Sequence, residues 1–226
     1  MLYFDVCPTY STCADHVFVD SDSNSLVTFI VGKEGETTKF TAHKEVVCYH
    51  SKVLRAAFNS NFVEGKTQTY CLEDTTGATF KFFMQWIYFQ KLNVLQLQDT
   101  YTKSNSTKEA ALEEDFALAG LWILGDRLCM NRVQNAALQA ISDVSGRWST
   151  IRGRTFKFVY DNTASGSLLQ QYLVASCALM DAGCWGSKPH NLPHQMLVDF
   201  GCFMIRKCRG DEKAELDVSD YFVKED

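Results

Sequence analysis

The stretch Phe40-Thr-Ala-His43-Lys44-Glu-Val-Val-Cys48-Tyr-His-Ser51-Lys-Val-Leu54-Arg-Ala-Ala57-Phe58 takes the chain from an extended segment into helix, and its neighbours on both sides follow from it. Ser51 has the side-chain oxygen that a helix start needs, and Leu54, Ala57 and Phe58 recur at helical spacing behind it. Upstream, Leu26-Val-Thr-Phe-Ile-Val-Gly32 is apolar on both alternating faces and rich in β-branched residues, which predicts a strand buried on both sides. Lys33-Glu-Gly35-Glu turns the chain, and Thr37 to Thr41 returns as the hairpin partner. Gly32 and Gly35 supply the positive φ values such a loop requires.

Downstream, Gln68 to Leu72 reads as a further strand. From Thr75 to Gln90, Phe80, Phe83, Met84 and Ile87 lie on one helical face while Phe82, Trp86 and Phe89 cover another, so this helix is expected at the centre of the core. The polar stretch Asn93 to Glu109 has the composition of an exposed loop. Two helices follow, one marked by Leu112, Phe116, Ala119, Gly120 and Ile123, the other by Met130, Val133, Ala137, Ile141 and Val144. Strands followed by a run of helices make an α+β domain with a small sheet flanked by a cluster of helices.

Ser145-Gly146-Arg-Trp-Ser-Thr-Ile-Arg-Gly153-Arg breaks the periodicity and carries two glycines, so it marks a boundary. Beyond it, Leu169, Tyr172, Leu173 and Ser176 predict one helix and Leu197, Phe200, Gly201 and Met204 another, with Pro193 near the first turn of the latter. The expected organisation is an amino-terminal tail over 1–24, a first domain over 25–145, a helical extension over 146–208 and a charged tail over 209–226, frayed or mobile.

The opening stretch resembles the start of a BTB/POZ domain. Further matches follow in that family's order: Phe62-Val63-Glu64, Thr69-Tyr-Cys-Leu-Glu-Asp74, Phe82-Phe-Met-Gln-Trp86-Ile-Tyr88, Leu124-Gly-Asp126-Arg127-Leu128 and Asn135-Ala-Ala-Leu138. Tyr160-Asp-Asn-Thr163-Ala-Ser165-Gly-Ser167-Leu168-Leu and Leu192-Pro193-His-Gln-Met-Leu-Val-Asp199 resemble the helical extension of many fungal BTB-domain proteins. The resemblance implies a BTB/POZ fold and a protein-interaction module without cofactor or metal. It implies self-association through the first helix and early strand, for which Leu26, Val27 and Phe29 are the candidates, giving a homodimer. It further implies an adaptor linking a client protein to a cullin-type ubiquitin ligase, since Phe62, Val63 and Glu64 match the family's pattern of a hydrophobic residue, any residue, then Glu. An aromatic anchor with a carboxylate beside it suits an apolar pocket rimmed by donors. The competing reading is a non-ubiquitin scaffold or regulatory homo-oligomer, transcription-related or structural.

Composition narrows the classes. Of 226 residues 46% are hydrophobic, enough for a substantial core, and a net charge of −5 argues against a surface dominated by polyanion binding. Nucleic acid is therefore not the expected partner. Arg147, Arg152, Arg154 and Lys157 interleave with Trp148, Phe156 and Phe158 as in single-strand grips, yet they also read as an exposed basic loop leading into a strand. No apolar run reaches the ~18 residues that span a bilayer, so no membrane is expected and the protein reads as intracellular, in cytoplasm or nucleus. Nine cysteines form no Cys-x-x-Cys pair and are expected as reduced thiols. Cys184, His190, His194 and Cys202 lack the spacing of a zinc site. His43, Cys48 and Asp74 offer the parts of a cysteine hydrolase without its signature, and His43 is expected to serve a helix start instead. Glu113-Glu-Asp115 reads as a solvated carboxylate run at a helix start. No enzyme is expected.

Overall fold

The computed structural model describes residues 25–102, 104, 107–148, 153–179, 192–212 and 215–225. The expected tail over 1–24, together with Arg152, Cys184 and His190, lies outside them. Three strands, β1 (Leu26–Val31), β2 (Thr38–His43) and β3 (Thr69–Leu72), form one sheet in the order β2-β1-β3. β1 and β2 pair antiparallel from Leu26 opposite His43 to Val31 opposite Thr38. Their connection needs Gly32, with φ at +106° and the Glu36 carbonyl 2.7 Å from where a Cβ would stand. β3 pairs parallel to β1, Thr28 opposite Thr69 and Val31 opposite Leu72. A parallel pair requires a crossover, and three short helices supply it: α1 (Lys44–His50), α2 (Lys52–Phe58) and α3 (Val63–Thr67).

β1 is not buried on both faces. Val27, Phe29 and Val31 are fully buried, whereas Leu26 is exposed and Thr28 and Ile30 are half-buried. The buried face of the sheet meets helix α4 (Gly77–Phe89), and Phe29 sits at that junction, edge-on to Phe58 at 5.8 Å and tilted against Phe80 at 4.9 Å. Aromatic pairs in such arrangements add to the area they bury. α4 begins where the Thr76 hydroxyl accepts the Thr79 amide, and it buries Phe80, Phe82, Phe83, Trp86 and Ile87.

Helices α5 (Lys108–Arg127) and α6 (Asn131–Trp148) form a tight hairpin. Gly125 sets their approach, since a Cβ there would lie 2.9 Å from Gln134 Cγ. α6 ends at Trp148, and its last turn reaches back to the segment 93–102. That segment is anchored and not a free exposed loop: Val94, Gln96 and Tyr101 are buried. The Glu114 carboxylate accepts the amides of Leu95 and Gln96 at 2.6 and 3.0 Å, and Gln96 Nε2 donates to Asp115 at 2.7 Å. Trp148 donates its indole N–H to the Gln96 carbonyl, and Arg147 donates to the carbonyls of Leu97 and Gln98. Of the run Glu113-Glu-Asp115, Glu113 is solvated, Glu114 is buried and Asp115 is half-buried.

The extension comprises α7 (Gly153–Asn162), α8 (Leu168–Leu179) and α9 (His194–Arg209), with Pro193 at the N-cap of α9. The expected strand around Phe156 and Phe158 is thus a helix. Phe156 is buried and Phe158 stands edge-on to Phe116 of α5 at 5.5 Å, which docks the extension on the first domain. The Tyr160 hydroxyl donates to Asp199 at 2.9 Å and ties α7 to α9. Burial, then the Asp199 bond and charge, push the Tyr160 hydroxyl far above the usual tyrosine range.

The charged tail is partly packed. Leu216, Val218, Tyr221, Phe222 and Val223 alternate with its acids and lie against the core, with a 3₁₀ turn over Val218–Tyr221 and Tyr221 edge-on to Tyr172 at 5.7 Å. Counting charges hid these apolar positions. Burial, then the charges of Glu212 and Asp220, raise the pKa of Tyr221.

Candidate partner-binding site

Phe62 and Val63 project from the surface, 77% and 69% exposed, on the turn between α2 and α3. Adjacent large apolar side chains are also exposed at Tyr88–Phe89 and Leu197–Val198; what sets Phe62 and Val63 apart is the bonded turn that presents them. The turn that presents them is fixed by its own chemistry. Ser60 Oγ donates to the Ala57 carbonyl and accepts the Phe62 amide at 3.1 Å. The Phe62 carbonyl accepts the Lys66 amide, and Thr67 Oγ1 donates to the Val63 carbonyl. Gln68, at φ +50°, ends α3 and donates from its amide to the carbonyls of Phe58 and Gly65, while Lys44 Nζ donates to the same Phe58 carbonyl at 3.0 Å. Gly65 is required at this spot, because a Cβ there would stand 1.9 Å from the Ser60 carbonyl oxygen. Glu64, half-buried, follows the two exposed side chains. The result is a pinned turn with an aromatic ring free to enter a pocket.

Leu26, Val27 and Phe29 fall on one strand but not on one surface. Val27 and Phe29 have no exposed area, and Leu26 alone of the three presents some. β1 is also the middle strand, hydrogen-bonded on both sides, so among the described residues the open sheet edges belong to β2 and β3.

The parts of the hydrolase reading are engaged elsewhere. His43 stands at the N-cap of α1, where its amide donates to the Tyr88 hydroxyl at 3.0 Å and its Nδ1 lies 2.8 Å from the same oxygen. Cys48 is buried, and burial pushes its thiol up, with the charges of Lys44 and Arg55 pulling the other way, the reverse of an activated nucleophile. Asp74 faces Arg127 at 3.9 Å on the surface. Arg147 and Trp148 of the basic-aromatic stretch are bound to the 96–98 carbonyls, which removes them from a stacking platform. Among the described residues no group of His, Cys, Asp and Glu is placed to hold a metal ion, and no helix is long and apolar enough to cross a membrane.

Two residues outside the predicted sites hold segments distant in the chain. Glu114 caps the 95–97 turn from nineteen positions away, and Asn135 binds the tail from eighty-eight. Nothing in a single sequence joins residues so far apart.

His43, Cys48 and Asp74 thus serve structural contacts, and Phe62 and Val63 stand outward on a bonded turn. Residues 18–119 match the BTB/POZ domain model. The chain carries a BTB/POZ domain and is, through it, a protein–protein interaction module. No curated protein matches the chain.

Proposed function

We propose that the chain is a BTB-type adaptor whose Phe62-Val63-Glu64 turn docks a cullin-type scaffold of a ubiquitin ligase while the helical extension carries the client. The observation that supports this reading is the outward pair Phe62 and Val63, 77% and 69% exposed on a turn locked by the Ser60, Gln68 and Lys44 bonds. Preorganisation removes the ordering cost that a mobile loop would bear on docking. A buried aromatic anchor is the usual source of hot-spot energy, and Glu64 beside it adds a charge-assisted bond.

Calorimetric titration of the chain with the amino-terminal region of a cullin-type scaffold tests this. Binding on the order of micromolar is expected. Phe62→Ala should weaken it by roughly 30-fold, the scale of a 2 kcal/mol hot spot, and Glu64→Lys should do at least as much. Neither substitution should alter the unfolding temperature by more than a degree or two, since Phe62 has little packing to lose. Absence of heat with folded protein would overturn the cullin reading and leave a scaffold for a different partner.

A further inference from the structure

The first turn of α6 holds the segment 221–225 in the way a receptor holds an extended peptide. Asn135, 7% exposed, makes both hydrogen bonds that one extended residue offers: its Nδ2 donates to the Val223 carbonyl at 2.9 Å and its Oδ1 accepts the Val223 amide at 2.7 Å. Asn131, one turn earlier on the same face, donates to the Lys224 carbonyl at 2.6 Å. Arg132 lies 3.6 Å from Glu225, and Tyr172 of α8 receives the Tyr221 ring edge-on. Phe222, at φ −73° and ψ 140°, is in the extended polyproline II conformation as the segment reaches the asparagines. Most of this grip is on main chain. Side-chain preference enters at two places, an aromatic against Tyr172 and an acid opposite Arg132.

The occupant lies at the surface of the core, not within it: none of residues 216–225 is fully buried, and Leu216, Val218, Tyr221, Phe222 and Val223 are half-buried against it. Exposed Asp211, Glu215 and Asp217 line the mouth of a cavity of about 690 Å³ between α8 and α9. A segment held mostly by main-chain bonds at the surface can leave at the cost of uncovering Tyr172, against which Tyr221 packs.

We propose that Asn131, Arg132, Asn135 and Tyr172 form a peptide-docking site, filled here by the chain's own 221–225, whose external partner is an extended segment with an aromatic residue followed four positions later by an acid. The tether gives the internal segment an effective concentration in the range of millimolar, so an external peptide competes only when the internal one is weakened or the partner is stronger. This site is separate from the Phe62 turn and does not depend on the cullin reading.

The test uses the full chain. Val223→Pro removes the amide that Asn135 accepts and fits the extended backbone of Phe222, so it loosens the internal segment and leaves the site intact. A fluorescein-labelled peptide of residues 216–225 should bind this variant at least ~10-fold more tightly than it binds the unaltered chain. Adding Asn135→Leu to Val223→Pro should abolish that binding. A folded Val223→Pro chain that takes no peptide, or one whose binding survives Asn135→Leu, would overturn the proposal. Amide exchange of the unaltered chain gives an independent check: the Val223 amide should be protected and exchange at least ~10-fold faster in Asn135→Leu, whereas an unprotected Val223 amide would sink the site even if the Pro variant failed to fold.

Discussion

Gly65 offers the sharpest test of why the exposed turn is rigid. Helix propensity alone says that Ala in place of a helical Gly stabilises, by about 0.8–1 kcal/mol. Gly65 lies within α3, yet the Cβ of an alanine would sit 1.9 Å from the Ser60 oxygen and 2.8 Å from its carbon, against 3.4–4 Å for ordinary contact. Both atoms are backbone, so no side chain can swing aside; α3 or the 57–61 turn must move by more than an ångström. Overpacking of this kind costs roughly 1–3 kcal/mol, and after the propensity gain a net loss of about 0–2 kcal/mol remains. For a chain of this size that lowers the unfolding temperature by up to roughly 8 °C. Gly146→Ala is the matched control, since that glycine lies in α6 with no heavy atom within 4 Å of the new Cβ. It should raise stability by about 0.5–1 kcal/mol. Thermal unfolding by circular dichroism reads both. A Gly65→Ala chain stabilised as Gly146→Ala is, by about 0.5–1 kcal/mol, would refute the close approach of α3 to Ser60 and with it the pinned turn.

Other perturbations report on other parts of the molecule. Glu114→Ala strips the acceptor from the amides of Leu95 and Gln96 and should cost about 2–3 kcal/mol by denaturant titration; an unchanged midpoint would mean that water already serves these amides. The pKa of His50 is lowered by burial, with its bond to the Ile87 backbone opposing and the charge of Arg132 adding to the shift. The unfolded chain therefore takes up the proton first, and stability present above about pH 6.5 should decline as pH falls towards the lower folded value. His50→Gln should flatten that slope between about pH 5 and 7, and an unaltered slope would assign it to other groups. With iodoacetamide, the exposed Cys71, Cys129, Cys202 and Cys208 should react first, and Cys48, its thiol raised by burial, at least ~10-fold more slowly. Equal rates at Cys48 and Cys71 would show that α1 opens readily.

What the chain discloses in one dimension depends on how far each signal reaches. The cap at Ser51, the hairpin glycines and the aromatic helix around Phe80 and Phe83 were legible because each is a local pattern of turn chemistry or periodicity. The Phe62-Val63-Glu64 turn was legible as a motif, but what holds it was not, because that comes from Lys44, Ser60 and Gln68 binding the carbonyls of Ala57, Phe58 and Gly65 and from the close approach of Gly65 to Ser60. β1 was read as buried on both faces because its composition is apolar throughout, yet the described helices cover only the Val27, Phe29 and Val31 side, a matter of topology rather than composition. The segments 93–107 and 209–226 misled in the same way. Both are polar on average, yet Val94, Gln96 and Tyr101 of the one are buried and Tyr221 and Val223 of the other half-buried, with Gln96 bonded to Glu114 18 positions away and Val223 to Asn135 88 positions away. Average polarity predicts exposure only where nothing distant supplies an acceptor or an aromatic face. Glu114 and Asn135 are those distant suppliers, and each satisfies two groups that would otherwise lack a partner away from water. The difference between them is the depth of what they hold. Glu114 holds a turn whose Gln96 is itself buried and bonded to Trp148, so its loss should spread into the α5–α6 hairpin. Asn135 holds a segment with no fully buried side chain, so its loss should free the segment and leave the domain standing. That contrast is what makes the second site exchangeable and the first structural.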